Sequence, residues 1–141
     1  MRISDKIKEI EEFLEELKSI IPNSFKEYLD DYKSKAACER YAEKIIEASV
    51  DLAFILIKDK KLRKPEDDQE AFEILKDKKI ISEELTIKLK DAKSMRNFLT
   101  HEYGKVDNEI VYNSIKEELE EDINEFINNV ESSKKRKNAK L

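Results

Sequence analysis

The chain has 141 residues, room for one domain, of which 43% are charged and 39% apolar, with one Gly and two Pro. Tight turns and hairpins draw on Gly and Pro, so this composition excludes a β-rich fold, and an apolar share of this size excludes a disordered chain. The net charge of −5 is uneven, because the last ten residues carry +5 and leave −10 on residues 1–131.

The opening segment, MRISDKIKEIEEF, has charges where a signal peptide needs its apolar stretch, and no run of about 18 apolar residues occurs anywhere, so a cytoplasmic protein with no membrane contact is expected. A first helix starts at Arg2 or Ile3. Ile3, Ile7, Ile10, Leu14, Leu17 and Ile21 follow steps of three and four, a one-sided stripe. Pro22 interrupts it, and Ser24 with Glu27 fits a capping box for a short piece carrying Phe25, Tyr28, Leu29 and Tyr32. The second helix is expected over 34–58, with Tyr41, Ile45, Ala48, Leu52 and Ile55 on its face. The lone Cys38 rules out an internal disulfide and fits a reducing compartment. The run LAFILI at 52–57 is apolar all round, which implies burial from more than one side. Asp51 at its edge needs a partner if buried; Arg40 and Arg96 are candidates, a plain surface position is the alternative, and it stays outside the catalytic set.

A charged connector with Pro65 follows. It includes the basic stretch Lys58, Lys60, Lys61, Arg63 and Lys64. Such stretches either touch phosphates or keep a surface solvated. A short helix is expected near 69–78 with Phe72 and Leu75 inward, and Ser82 can cap a third long helix over 83–101. Its stripe runs Leu85, Leu89, Ala92, Arg96, Leu99, Tyr103, so Arg96 and Tyr103 occupy positions that call for apolar residues. Gly104, the single glycine, is a natural stop. Asp107 can cap a fourth helix over 108–131, striped by Val111, Ile115, Leu119, Ile123, Phe126 and Val130. The apolar period ends at Glu131, and 132–141 is expected to be a basic, flexible tail on a single domain spanning 1–131. The expected fold is all-α: an up-down four-helix bundle with one short additional helix.

One glycine cannot form a phosphate-binding loop, and one His with one Cys cannot form a zinc finger, so no metal or cofactor is expected. The candidate chemistry sits in Met95-Arg96-Asn97-Phe98-Leu99-Thr100-His101-Glu102-Tyr103-Gly104. A His exchanges protons near neutral pH, and an Arg holds phosphate and offsets charge developing on it. RNA carries its own nucleophile, the 2′-OH, so a base, an acid and a phosphate clamp suffice. By spacing alone, a helix-end cap for His101 and an interface ion pair for Arg96 are the favoured readings over catalysis.

At this segment the sequence resembles the HEPN superfamily, and more closely its HepT-like branch, through Arg-x4-His-x-Tyr, here R-NFLT-H-E-Y, with Asn97 as the polar residue after the Arg. The stretches CERYAEKIIEASVDLAFILI, FEILKDKKIISEELTIKLKDAKSMRN and YGKVDNEIVYNSI extend the likeness over residues 2–130. The resemblance implies a homodimeric, metal-independent RNase toxin of a type VII-like toxin–antitoxin pair, with RNA as substrate. Its implied partner is an MNT-type nucleotidyltransferase antitoxin that attaches AMP to Tyr103. On this reading Arg96 and His101 are catalytic and Asn97 supports them, with His101 as base or as acid. The alternative is a non-catalytic dimeric HEPN module or scaffold for a nucleotidyltransferase; a nucleotide-binding bundle is a weaker third. Arg96 and His101, five apart at about 100° per residue, point about 140° away from each other. A two-fold contact through this helix would bring both copies of the motif to one seam.

Overall fold

The computed structural model describes residues 2–101 and 107–139, with side chains described for 2–100 and 107–134. Helix α1 spans Ile3–Ile20 and buries Ile3, Ile7, Ile10, Leu14 and Leu17. The stripe read from the sequence is therefore its core face. At the break, the Ser24 hydroxyl accepts from the Glu27 N–H at 3.2 Å, and the Glu27 carboxylate accepts from the Asn23 N–H at 3.3 Å. This is the reciprocal arrangement of a capping box, shifted by one residue at its outer end. It opens the short helix α2, Phe25–Asp30. Tyr28 is fully buried there, whereas Leu29 and Tyr32 face water.

Helix α3 covers Tyr32–Asp59 and begins two residues earlier than the sequence suggested. Asp31 accepts from the N–H groups of Lys33 and Ser34, so it supplies the cap that ends α2 and starts α3. This helix is the centre of the bundle and touches α1, α2 and three elements still to come. Within LAFILI, Leu52, Ala53, Leu56 and Ile57 are buried while Phe54 and Ile55 are half-buried, because neighbours close on several of its sides.

Two helix ends close with a lysine in the left-handed region. After α3, Lys61 has φ 57° and the Leu62 N–H reaches back to Ile57 O; after α4, Asp68–Asp77, Lys79 has φ 60° and the Ile80 N–H reaches Leu75 O. Each satisfies carbonyls that a helix end leaves open. Asp67 caps α4 by accepting from the Glu70 N–H at 2.8 Å, and Ala71, Phe72, Ile74 and Leu75 turn inward. The Ser82 hydroxyl accepts from the Leu85 N–H at 3.0 Å and opens α5, Glu83–His101.

Asp107 accepts from the N–H groups of Glu109 and Ile110 and starts α6, Asn108–Asn113. A π-helical turn over Ser114–Glu118 joins it without a break to α7, Leu119–Ala139. The expected fourth helix is thus present, widened once and continued past Glu131; Ser133 is buried and its carbonyl accepts from Lys60 Nζ at 3.3 Å. The described residues form an all-α bundle in which α1, α3, α5 and the α6–α7 rod are the long members and α2 and α4 the short ones. No described helix is long and apolar enough to cross a membrane. Phe72 and Phe126 meet edge to face at 6.0 Å in the core.

Candidate active site

The site is set by the packing of α5 along α3, with α4 at its edge. Glu47, Val50, Asp51 and Phe54 from α3, Asp68 from α4, and Lys93 and Arg96 from α5 line an open cleft of about 390 Å³. Arg96 sits where the apolar stripe of α5 would place a core residue. Its side chain is mostly covered, and two of its nitrogens reach polar atoms: NH1 donates to Asn97 Oδ1 at 3.3 Å, and NH2 lies 3.6 Å from Glu47 Oε2. Its Nε is buried without a hydrogen-bond partner among the described residues. A buried N–H of a cation left unpaired costs free energy, about 1–3 kcal/mol, so Arg96 is not placed to maximise stability.

Asn97 is held from two sides. Its Oδ1 accepts from Arg96 and also from Lys93 Nζ at 2.9 Å. Lys93, almost fully covered, is in turn 3.2 Å from Asp68 Oδ2. With the oxygen so occupied, the two amide donors of Asn97 are turned elsewhere and available to an acceptor. The chain Asp68–Lys93–Asn97–Arg96 links α4 to α5 and fixes the guanidinium at the cleft.

Of the residues singled out by sequence, Arg96 and Asn97 are brought together. His101 is the last residue of α5, but its side chain lies outside the described residues, and Tyr103 lies outside them altogether. Asp51 pairs with neither arginine considered for it. Its carboxylate is 3.6 Å from Lys6 Nζ of α1, while Arg40 pairs with Glu43 and Arg96 with Glu47. The reason is register: Asp51 is one turn beyond Glu47 along α3, on the side where α1 brings Lys6. Sequence reasoning missed Glu47, Lys93 and Asp68. Lys93 had a signal, since it lies three residues before Arg96 and four before Asn97 on the same helical face; the two acids had none, since they belong to other elements.

Residues 10–130 of the chain match a known family, Ribonuclease HepT-like. The chain belongs to this family. A relative from Archaeoglobus fulgidus, named "Putative RNase", is 42% identical over 86 residues, which are 61% of this chain and 64% of that protein, so the match spans less than two thirds of the relative's length. Among solved structures, the tri-AMPylated Shewanella oneidensis HEPN toxin in complex with MNT antitoxin superposes with a TM-score of 0.86 at 22% identity, over 94% of this chain and 99% of that one. YutE from Bacillus subtilis, a cytosolic protein of unknown function, superposes with a TM-score of 0.75 at 21% identity, over 93% and 87%. At these identities the two structures establish the shared HEPN fold.

Proposed function

We propose that this HepT-like chain is the toxin of a type VII-like pair, an endoribonuclease that cuts RNA by 2′-OH attack without a metal. One observation carries the reading: an arginine on a core stripe, whose buried Nε has no partner among the described residues, opens into a cleft of about 390 Å³ five residues before the single histidine. The family match over 10–130, which includes Arg-x4-His-x-Tyr, supports it.

In the proposed reaction the 2′-oxygen loses its proton to a base and bonds to the adjacent phosphorus. The bond from phosphorus to the 5′-oxygen breaks, and that oxygen leaves with a proton from an acid. His101 takes one of these two roles. Arg96 clamps the phosphate and offsets the charge that builds on its oxygens. Asn97 orients the guanidinium through its Oδ1 and offers its amide donors to the phosphate. The product is a 2′,3′-cyclic phosphate, or a 3′-phosphate after hydrolysis.

The working form is a homodimer whose cleft takes residues from both copies. The 140° between Arg96 and His101 disfavours one chain pairing them across a regular helix. Phe98, 52% exposed, lies three residues before His101 and so on nearly the same face, as an apolar residue awaiting a second chain would. The control partner is an MNT-type nucleotidyltransferase, and Tyr103 is its AMP acceptor; the tri-AMPylated state of the Shewanella toxin supports this. Bulk and negative charge added at Tyr103 would repel RNA phosphates.

The test is cleavage of a mixed tRNA and mRNA pool in EDTA by wild type, His101→Ala and Arg96→Ala. Wild type alone is expected to cut, leaving cyclic-phosphate ends. Cleavage abolished by EDTA overturns the metal-free mechanism. An inactive wild-type protein whose mass shows no AMP leaves the scaffold alternative for a nucleotidyltransferase.

A further inference from the structure

Two basic stretches that lie more than seventy residues apart in sequence meet at one end of the bundle. Lys60, at the end of α3, donates to the Ser133 carbonyl of α7, with Lys134 next to it and Lys135, Arg136 and Lys137 following in the same helix. Beside them Lys61, Leu62, Arg63, Ile74, Asp77 and Lys78 line a second open cleft, of about 400 Å³. Lys61, Arg63, Lys64, Lys78 and Lys79 are exposed. Arg63 is spent on Glu70 at 2.6 Å; Lys61, Lys64, Lys78 and Lys79 have no ion pair among the described residues.

This basic end is joined to the active cleft by the chain itself. The connector 60–67 leaves the end of α3, is pinned by the buried Pro65 and the Arg63–Glu70 pair, and arrives at Asp68, whose carboxylate holds Lys93 in the Arg96 cleft. Glu47, beside Arg96, and Lys60 are thirteen residues apart on α3, about 20 Å at 1.5 Å per residue. That is the length of about six stacked nucleotides at ~3.4 Å each. A body of net charge −10 over residues 1–131 would otherwise repel a polyanion, so cations gathered at this cleft give the strand a defined approach. Basic residues at helix ends also offset helix dipoles, but Lys64 lies within the connector, and Lys61 and Lys79 lie beyond the helix ends.

We propose that Lys61, Lys64, Lys78 and Lys79 form a phosphate track that holds an RNA strand about six nucleotides away from the scissile bond. The proposal rests on the RNase reading and deepens it, by making a stretch of single-stranded RNA, read through its backbone and without sequence preference, the substrate class.

The test is binding of fluorescein-labelled oligouridylates of four and twenty nucleotides to the full chain carrying His101→Ala, across 50–200 mM salt. The parent is expected to bind the 20-mer far more tightly than the 4-mer. Replacing all four lysines by Gln is expected to weaken the 20-mer about tenfold and to leave the 4-mer within about twofold. It should also flatten the slope of log affinity against log salt by about 0.7 for each phosphate that no longer meets a lysine. Replacing the four by Arg keeps the charge and should restore the 20-mer, which separates removal of charge from a damaged fold. Equal 20-mer affinity and salt slope for parent and Gln variant overturn the track while leaving the RNase reading intact. No RNA binding by the parent overturns both. Displacement of the 20-mer by polyglutamate as effective as by RNA, charge for charge, reassigns the strip to an acidic protein partner and overturns the RNA assignment.

Discussion

Glu47 is 3.6 Å from the Arg96 guanidinium, yet more than half of its side chain is in water. A partly exposed pair of this kind is worth at most about 1 kcal/mol. If Arg96 clamps the phosphate as proposed, the Glu47 carboxylate and the substrate compete for its guanidinium. Glu47→Gln is therefore expected to lower KM for RNA severalfold while moving Tm by no more than about 3 °C. Steady-state cleavage kinetics check this, and an unchanged or raised KM would mean that Arg96 does not meet the phosphate. Tyr28 gives a second case. Its ring packs on Tyr112 with centroids 5.0 Å apart, but its hydroxyl is buried without a partner among the described residues, and burial pushes its ionisation well above the ordinary tyrosine range. Removing an unsatisfied hydroxyl removes a desolvation cost, so Tyr28→Phe is expected to leave stability unchanged or raise it by up to about 1 kcal/mol in urea unfolding. A drop of about 1 kcal/mol or more would show that the hydroxyl has a partner after all. At this scale the sequence disclosed Arg96 because a cation interrupted an apolar stripe. Glu47 and Asp68 were illegible because acids on helix surfaces look alike until packing chooses one.

Helix starts were readable where caps are local: Ser24, Ser82 and Asp107 each bond N–H groups two or three residues on. Asp31 was missed because Tyr32 extends the spacing of Phe25, Tyr28 and Leu29, which carried the short piece past the break. The π turn at Ser114–Glu118 was also missed, although the stripe contained its signature. Val111, Ile115, Leu119 and Ile123 are separated by three steps of four. In an α-helix each such step overshoots by about 40°, so the last residue would be about 120° off the first. One extra residue in a wider turn absorbs most of that angle, and all four are buried. Deleting the exposed Glu117 is therefore expected to convert the turn to regular α-helix and keep a stripe of four, three and four, with a modest change in Tm. Deleting the equally exposed Asn124 should turn one half of the rod by about 100° against the other and unfold the protein. Thermal melts of the two variants decide this; equal damage would mean that the π turn is not the register-absorbing element.

At the scale of the whole molecule, the bundle follows from four apolar stripes of helical period, and the order of its elements from the short links between them. What no stripe encodes is which face meets a second chain. In a regular helix positions 98 and 101 fall on nearly one face, about 140° from position 96, so on the proposed reading a single chain's clamp and proton carrier would point in different directions. If the dimer pairs Arg96 of one copy with His101 of the other, Arg96→Ala and His101→Ala homodimers are both inactive, but a mixed dimer retains one cleft with both residues intact. An equal mixture of the two inactive proteins, unfolded and refolded together, should then recover about a quarter of the wild-type rate, since half the dimers are mixed and each has one working cleft of two. Pairing within one chain gives the opposite result, because every cleft in the mixture then lacks either the clamp or the proton carrier and no activity returns. Phe98→Glu separates assembly from chemistry. A charge placed in the seam should yield a folded monomer in which neither the shared cleft nor cleavage survives, while a dimer that persists and still cuts would place the seam elsewhere on the bundle.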